Sequence, residues 1–226
     1  MTPTIWVTPH YKSQVVLGAL HRGTGFPMLP IHEAPYDPGP SIVYGILRGC
    51  SELIHRCTAA GSPYWHIDHG YFGRRKDFLG YYRITKNALA GRSAAIGWSN
   101  GSRWQTLGVG LAKERGDGEV NIAIPPTLPI RAHFRPTAWP VAPDEQASEK
   151  DGVSLHELLP IARNVRAFNS MAALDAWVAG VDAWQDYGPL DGPWRMDDRE
   201  LVCSWLADQQ WTLTEMEEGK CSMSWS

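Results

Sequence analysis

Three features of this 226-residue sequence predict an α/β protein in two lobes. Short apolar runs alternate with helical patterns three times between residues 4 and 69, which is the signature of successive βα units. The alternation restarts near residue 105, and the chain ends on a long amphipathic pattern that reaches Gly219. At this length most of the apolar surface can be buried without covalent or metal staples.

Taken in order, "TIWVTP" predicts a strand closed by Pro9. "KSQVVLGALHRG" predicts a helix with Val15, Val16, Ala19 and Leu20 on one face and its stop at Gly23. "HEAPYDPGP" reads as a loop and "SIVYGIL" as a buried strand. "GCSELIHRCTAAG" predicts a helix with Leu53, Ile54 and Cys57 inward and Gly61 as its stop, followed by the strand "PYWHID". Three βα units in a row imply a parallel sheet with right-handed crossovers.

"YYRITKNAL" is a further strand candidate, and the small-residue stretch "AGRSAAIGWSNGSRW" reads as a connector. "EVNIAIPP" predicts a strand from its alternating Val120, Ile122 and Ile124, and "LPIRAHF" a short helix. Residues 135–152 have three prolines, mixed charge and no periodicity, as a loop or linker would. In "SLHELLPIA", Ser154 and Glu157 form a capping-box pattern and Pro160 ends or bends the helix. "NVRAFN" then predicts a strand, "SMAALDAWVAG" a helix ending at Gly180, and "VDAW" another strand.

The last helix is expected from Asp197 or Asp198 to Gly219, with Leu201, Val202, Trp205, Leu206, Leu213 and Met216 as its apolar stripe. It is long enough to pack back across both lobes. The expected divisions are 1–104, 105–195 and 196–226.

Composition narrows the chemistry. A formal net charge of -3 gives no overall basic footprint of a dedicated nucleic-acid binder. No run approaches the roughly 20 apolar residues of a membrane span, and "MTPTIWVTPH" lacks the pattern of a secretion signal, so a cytoplasmic protein without membrane insertion is expected. Cys50, Cys57, Cys203 and Cys221 show no CxxC spacing, and reduced structural thiols are expected. The eleven tryptophans follow no repeat period and read as core residues. No GxGxxG, Walker, GxSxG or HExxH pattern occurs, which removes the common hydrolase classes.

Two stretches carry chemistry. "WHIDHGYFGR" packs His66, Asp68 and His69 at the end of a strand, where open α/β sheets bind ligands. As a zinc site it lacks further ligands, so no metal is expected. As an acid/base site, His69 would take a proton from an acceptor hydroxyl, with Asp68 orienting it or binding the acceptor. Gly70 and Gly73 would let the backbone turn near a ligand, while Arg74, Arg75 and Lys76 supply charge for a phosphate. Arg83 and Lys86 are exposed surface if the stretch is only a strand end, and phosphate-facing if it is a site. The second stretch is "FNSMAALDAW", a strand end leading into a helix whose first turn has no bulky side chain. Asn169 and Ser170 there suit a phosphate, and Asp175 a ribose hydroxyl; the plain alternative is a Ser-capped helix with Asp175 in solvent.

"NSMAALDAWVAGVDAW" resembles the nucleotide-binding helix of GT-B glycosyltransferases and of CDP-glycerol glycerophosphotransferases. With "GSPYWHIDHGYFGR", "YYRITKNAL", "LGVGLAKERGDGEVNIAIPPT" and "DDRELVCSWLADQQWTLTEMEEG", it resembles an uncharacterised, often phage-encoded family of that GT-B-like type. The resemblance covers roughly half the chain. It implies two Rossmann-like lobes, the second shortened, with the acceptor on the N-terminal lobe and a nucleotide-activated donor, the co-substrate, on the C-terminal one. On that template Ser170 matches the phosphate-facing helix start, Asp175 the ribose-binding acid, and "DHG" a His-Gly at a strand end. The chain departs from the pattern in having Asp175 for Glu, Asp182 for a proline, and a short Pro-rich stretch before "FNS".

Three functions are compatible with these features: glycosyl or glycerophosphoryl transfer to a hydroxyl acceptor, a non-catalytic nucleotide- or sugar-binding accessory role, and glycosylation of modified bases in DNA. None of the features specifies an oligomeric state.

Overall fold

The computed structural model describes residues 1–75, 77–135, 139, 142, 145–147 and 154–221. The chain divides into two compact units, Met1–Leu89 with Gln209–Ser226, and Ala90–Asp208. The sequence-expected junction at 104/105 thus falls within the second unit, and residues 196–226 are divided between the two.

The first unit opens with β1 (Thr4–Val7), α1 (Tyr11–Thr24), β2 (Met28–Pro30), β3 (Ser41–Tyr44), α2 (Cys50–Ala59), β4 (Tyr64–His69) and β5 (Tyr82–Lys86). The second unit contains α3 (Ser102–Leu107), β6 (Val120–Ile124), α4 (Leu128–Phe134), β7 (Glu145–Ala147), α5 (Leu155–Leu158), β8 (Ala162–Ala167), α6 (Ala172–Val178), β9 (Asp182–Gln185) and α7 (Arg199–Asp208). The chain then returns to the first unit with β10 (Gln210–Trp211) and α8 (Leu213–Glu217).

The first sheet has the order β10-β5-β4-β3-β1-β2. Its β2, β1, β3 and β4 are parallel, as the βα pattern predicts, but β5 runs antiparallel to β4. No crossover helix lies between β4 and β5, so the chain can only fold back beside β4. The core under this sheet is built by Ile5, Leu17, Leu20, Ile42, Trp65, Ile67, Ile84 and Met216. The second sheet, β7-β6-β8-β9, is parallel throughout. Its core includes Ile122, Val165, Leu174, Trp177 and Val181. Each unit is therefore an α/β sheet of the kind the sequence predicts.

Three local expectations need correction. The single terminal helix is two helices separated by β10, whose Gln210 and Trp211 are buried and pair with β5. Thr212 restarts the helix: its Oγ1 accepts from the Glu215 N–H at 3.2 Å, and Glu215 Oε2 accepts from the Thr212 N–H at 2.7 Å. Gly23 does not stop α1, which runs on to Thr24 and ends at left-handed Gly25 (φ 68°). A Cβ on Gly23 would lie 1.8 Å from the Met216 carbonyl oxygen, so glycine is required there by the approach of α8. Finally, α3 begins within the expected connector, and the expected loop at 135–152 contains β7. Residues 136–138, 140–141, 143–144 and 148–152 of that loop lie outside the described residues.

Candidate active site at the strand ends

β4 places His66 and Ile67 in the core and brings Asp68 and His69, both half-buried, to the carboxyl edge of the first sheet. The register of the antiparallel pair sets Asp68 opposite Arg83 and His69 opposite Tyr82. Arg83 is buried, so it is neither of the two things its sequence suggested, an exposed side chain or a phosphate ligand. Its Nη2 pairs with Asp68 Oδ2 at 3.1 Å and its Nη1 donates to the His69 carbonyl at 2.8 Å. The other Asp68 oxygen, Oδ1, accepts from the His69 backbone N–H at 2.8 Å. The His69 backbone is thus held from both sides by one ion pair.

Asp68 acts on the His69 ring through charge, since both of its oxygens are occupied by these partners. Burial alone would raise the Asp68 carboxyl, but Arg83, with His66, His69 and the His69 N–H, holds it below the ordinary aspartate value. Asp68 is therefore an anion at neutral pH. The His69 imidazole stacks on Tyr82, with centroids 5.7 Å apart, and meets Tyr44 edge-on at 6.5 Å. No hydrogen bond joins its ring nitrogens to another described residue. Burial lowers its pKa, Asp68 opposes that, and Lys12, Arg83 and Arg74 lower it further, to a net value below the ordinary histidine. The ring is neutral at pH 7 and can accept a proton.

The loop after β4 is shaped by close packing. Gly70 donates its N–H to the Tyr81 carbonyl at 2.7 Å, and a Cβ there would come within 2.9 Å of Tyr81 and 2.8 Å of Gln210 Oε1. Gln210 Oε1 also accepts from the Phe72 N–H at 3.0 Å, so β10 buttresses the turn beside His69. Sequence reading missed this residue, because Gln210 is distant in sequence and only the pairing of β10 with β5 delivers it. Gly73 is left-handed (φ 62°), and Arg74 and Arg75 are exposed, Arg75 pairing with Asp77 at 2.6 Å. Lys76 lies outside the described residues.

In the second unit, β8 ends at Ala167, and Asn169 and Ser170 follow it at the carboxyl edge of that sheet, both half-buried. The helix begins at Ala172 rather than at Ser170 and has seven residues. Ser170 Oγ accepts from the Ala172 N–H at 3.3 Å, and its carbonyl accepts from the Ala173 N–H at 3.1 Å and from Gln185 Nε2 at 2.8 Å. Asp175 lies in the first turn and is half-buried. An aromatic cluster stands at the same edge: Phe134 meets Phe168 at 5.2 Å and Tyr187 at 4.5 Å, and Arg92 lies 4.2 Å over the Tyr187 ring while pairing with Asp191.

Burial pushes the Cys50 and Cys203 thiols up to about 12 and Cys221 up to about 11, which leaves these three protonated at neutral pH. Among the described residues no group of three or more His, Cys, Asp or Glu is placed to hold a metal ion. No helix of the described residues is long and apolar enough to cross a membrane. A surface depression of about 800 Å³ lies at the opposite, amino-terminal edge of the first sheet, lined by Pro38, Pro40, Ser62, Pro63, Trp65 and Lys86.

No protein-family model matches the chain, and no curated protein does. Among solved structures the chain is similar to KpsC of Thermosulfurimonas dismutans, a beta Kdo 2,4 transferase, with 8% identity and a TM-score of 0.48 over 89% of each chain. A likeness at that level assigns no activity. The α/β character of both units rests on their own strand order and register.

Proposed function

We propose that the protein is a transferase that moves a glycosyl or glycerophosphoryl group from a nucleotide-activated donor to a hydroxyl acceptor. The observation that supports this is His69: a neutral imidazole at a sheet's carboxyl edge, fixed through its backbone by the Asp68–Arg83 pair and with no hydrogen bond from its ring to a described residue. In the proposed reaction a ring nitrogen takes the acceptor's hydroxyl proton as the oxygen attacks the donor. The bond to the nucleotide breaks, and its electron pair leaves with the nucleotide phosphate. Arg74, Asn169 and the Ser170 hydroxyl are assigned to donor phosphate and Asp175 to ribose. Catalysis then comes mainly from positioning and charge stabilisation.

One observation favours a second reading, a nucleotide-binding protein without turnover. The seven-residue α6 and the hydrogen bonds that Ser170 already makes within its own turn leave fewer groups for a diphosphate than a long helix start would. A thermal-shift panel of nucleotide-sugars and CDP-glycerol on wild type and Ser170→Trp tests the donor site. Stabilisation of wild type alone is expected. Equal stabilisation of both proteins, or of neither, would remove the donor assignment.

A further inference from the structure

Around His69, the carboxyl edge of the first unit carries positive charge that the described residues do not pair. Lys12 lies in the first turn of α1, where the helix dipole favours an acid, and that turn contains none. Arg48 has a left-handed backbone (φ 56°) in the β3–α2 loop, a conformation that costs free energy for any residue but glycine. Both placements are locally unfavourable, and neither side chain makes an ion pair or hydrogen bond with a described residue. The acids nearby are already engaged, Asp68 with Arg83 and Asp77 with Arg75, and Glu52 makes no ion pair with Arg48.

The cations are close to the two histidines of this edge. Desolvation, then Arg48 and Lys12, lowers the pKa of His10; Lys12 and Arg74 act in the same direction on His69. The loops that bear these residues follow β1, β3 and β4, three neighbouring strands of one sheet. Arg48 is exposed and Lys12, His10 and His69 are half-exposed, so all four are open to solvent.

We infer that this edge holds an oxyanion subsite, formed by Lys12 and Arg48 beside His10 and His69, and that the acceptor therefore carries a phosphate next to its reacting hydroxyl. The inference deepens the transferase reading and rests on it for the word acceptor. A phosphate dianion would satisfy two cations that no described residue pairs and would place a neighbouring hydroxyl near the His69 ring.

The test is an NMR titration of the His10 and His69 ring resonances with inorganic phosphate at constant ionic strength, in wild type and in the surface double variant Lys12→Met/Arg48→Met. Phosphate should raise both histidine pKa values in wild type, and the double variant should bind it about tenfold more weakly. The same variant should bind UDP and CDP as wild type does, because neither Lys12 nor Arg48 is among the groups assigned to the donor phosphates. An unchanged phosphate response in the double variant would overturn the subsite. So would a loss of UDP or CDP affinity in step with phosphate, which would give these cations to the donor. A short DNA duplex that saturates the same resonances at concentrations where phosphate does not would overturn a single-phosphate acceptor in favour of nucleic acid. Nucleotide release that depends on His69 but not on Lys12 or Arg48 would overturn the subsite while leaving the transferase reading intact.

Discussion

Both oxygens of Asp68 are occupied by the groups that hold the next residue in place, the His69 N–H and the Arg83 guanidinium. Removing the charge should therefore show in stability as well as activity. Asp68→Asn is expected to cost about 1–2 kcal/mol at neutral pH, the lower part of the range for a charged hydrogen-bonded pair because the Asp68 side chain stays 38% exposed. The folded-state pKa of Asp68 is depressed, so its contribution is complete above the unfolded aspartate value of 3.8 and is lost as the pH falls through the folded value. Urea titrations across pH should show wild type and Asp68→Asn separated at pH 7 and converging in acid below 3.8. A gap that persists unchanged into strong acid would mean the pair contributes packing only.

At this scale the sequence was informative about position and less so about partners. Strand alternation and the following glycine place His69 at the sheet edge. The Arg83 clamp depends on which strand lies beside β4 and in which register, and no local pattern around Arg83 contains that information.

Helices and turns test the account through their glycines. Replacing glycine by alanine within a helix ordinarily stabilises by about 1 kcal/mol. In α1 this should hold for Gly18, where the nearest atom to an added Cβ is the mobile Arg22 Nη1 at 3.4 Å. Gly23→Ala should do the opposite, costing about 3 kcal/mol because its Cβ would drive into the α8 backbone. Thermal unfolding of the two variants should move the midpoint in opposite directions; the same sign for both would contradict the α1–α8 contact. The sequence presents Gly23 as a helix stop because a glycine near a helix end fits the capping pattern as well as it fits a close contact. It likewise presents one terminal helix, since Leu206 and Leu213 continue a helical stripe through residues that the edge of β5 recruits into a strand. Strands of two or three residues, such as β2 and β10, take their identity from the neighbour they pair with.

For the whole molecule, the alternation of apolar runs and helical patterns carries the α/β class, because the periods of strand and helix are written locally along the chain. What is not local is connectivity at the end: the chain completes its first unit only after building the second, through Gln209–Ser226. The proposed chemistry places a base on one unit and a donor site on the other; His69→Asn removes the base together with its ring contacts to Tyr82 and Tyr44, so the thermal midpoint of the variant is measured beside its rate. The most direct measurement is nucleotide release from the donor that stabilises the protein, in wild type and His69→Asn, as a function of pH. Wild type should lose activity on the acid side with a midpoint below the ordinary histidine value of 6.5, and His69→Asn should be slower by about 100-fold or more with that limb gone. Equal rates, or an acid limb that survives in His69→Asn, would contradict His69 as the base.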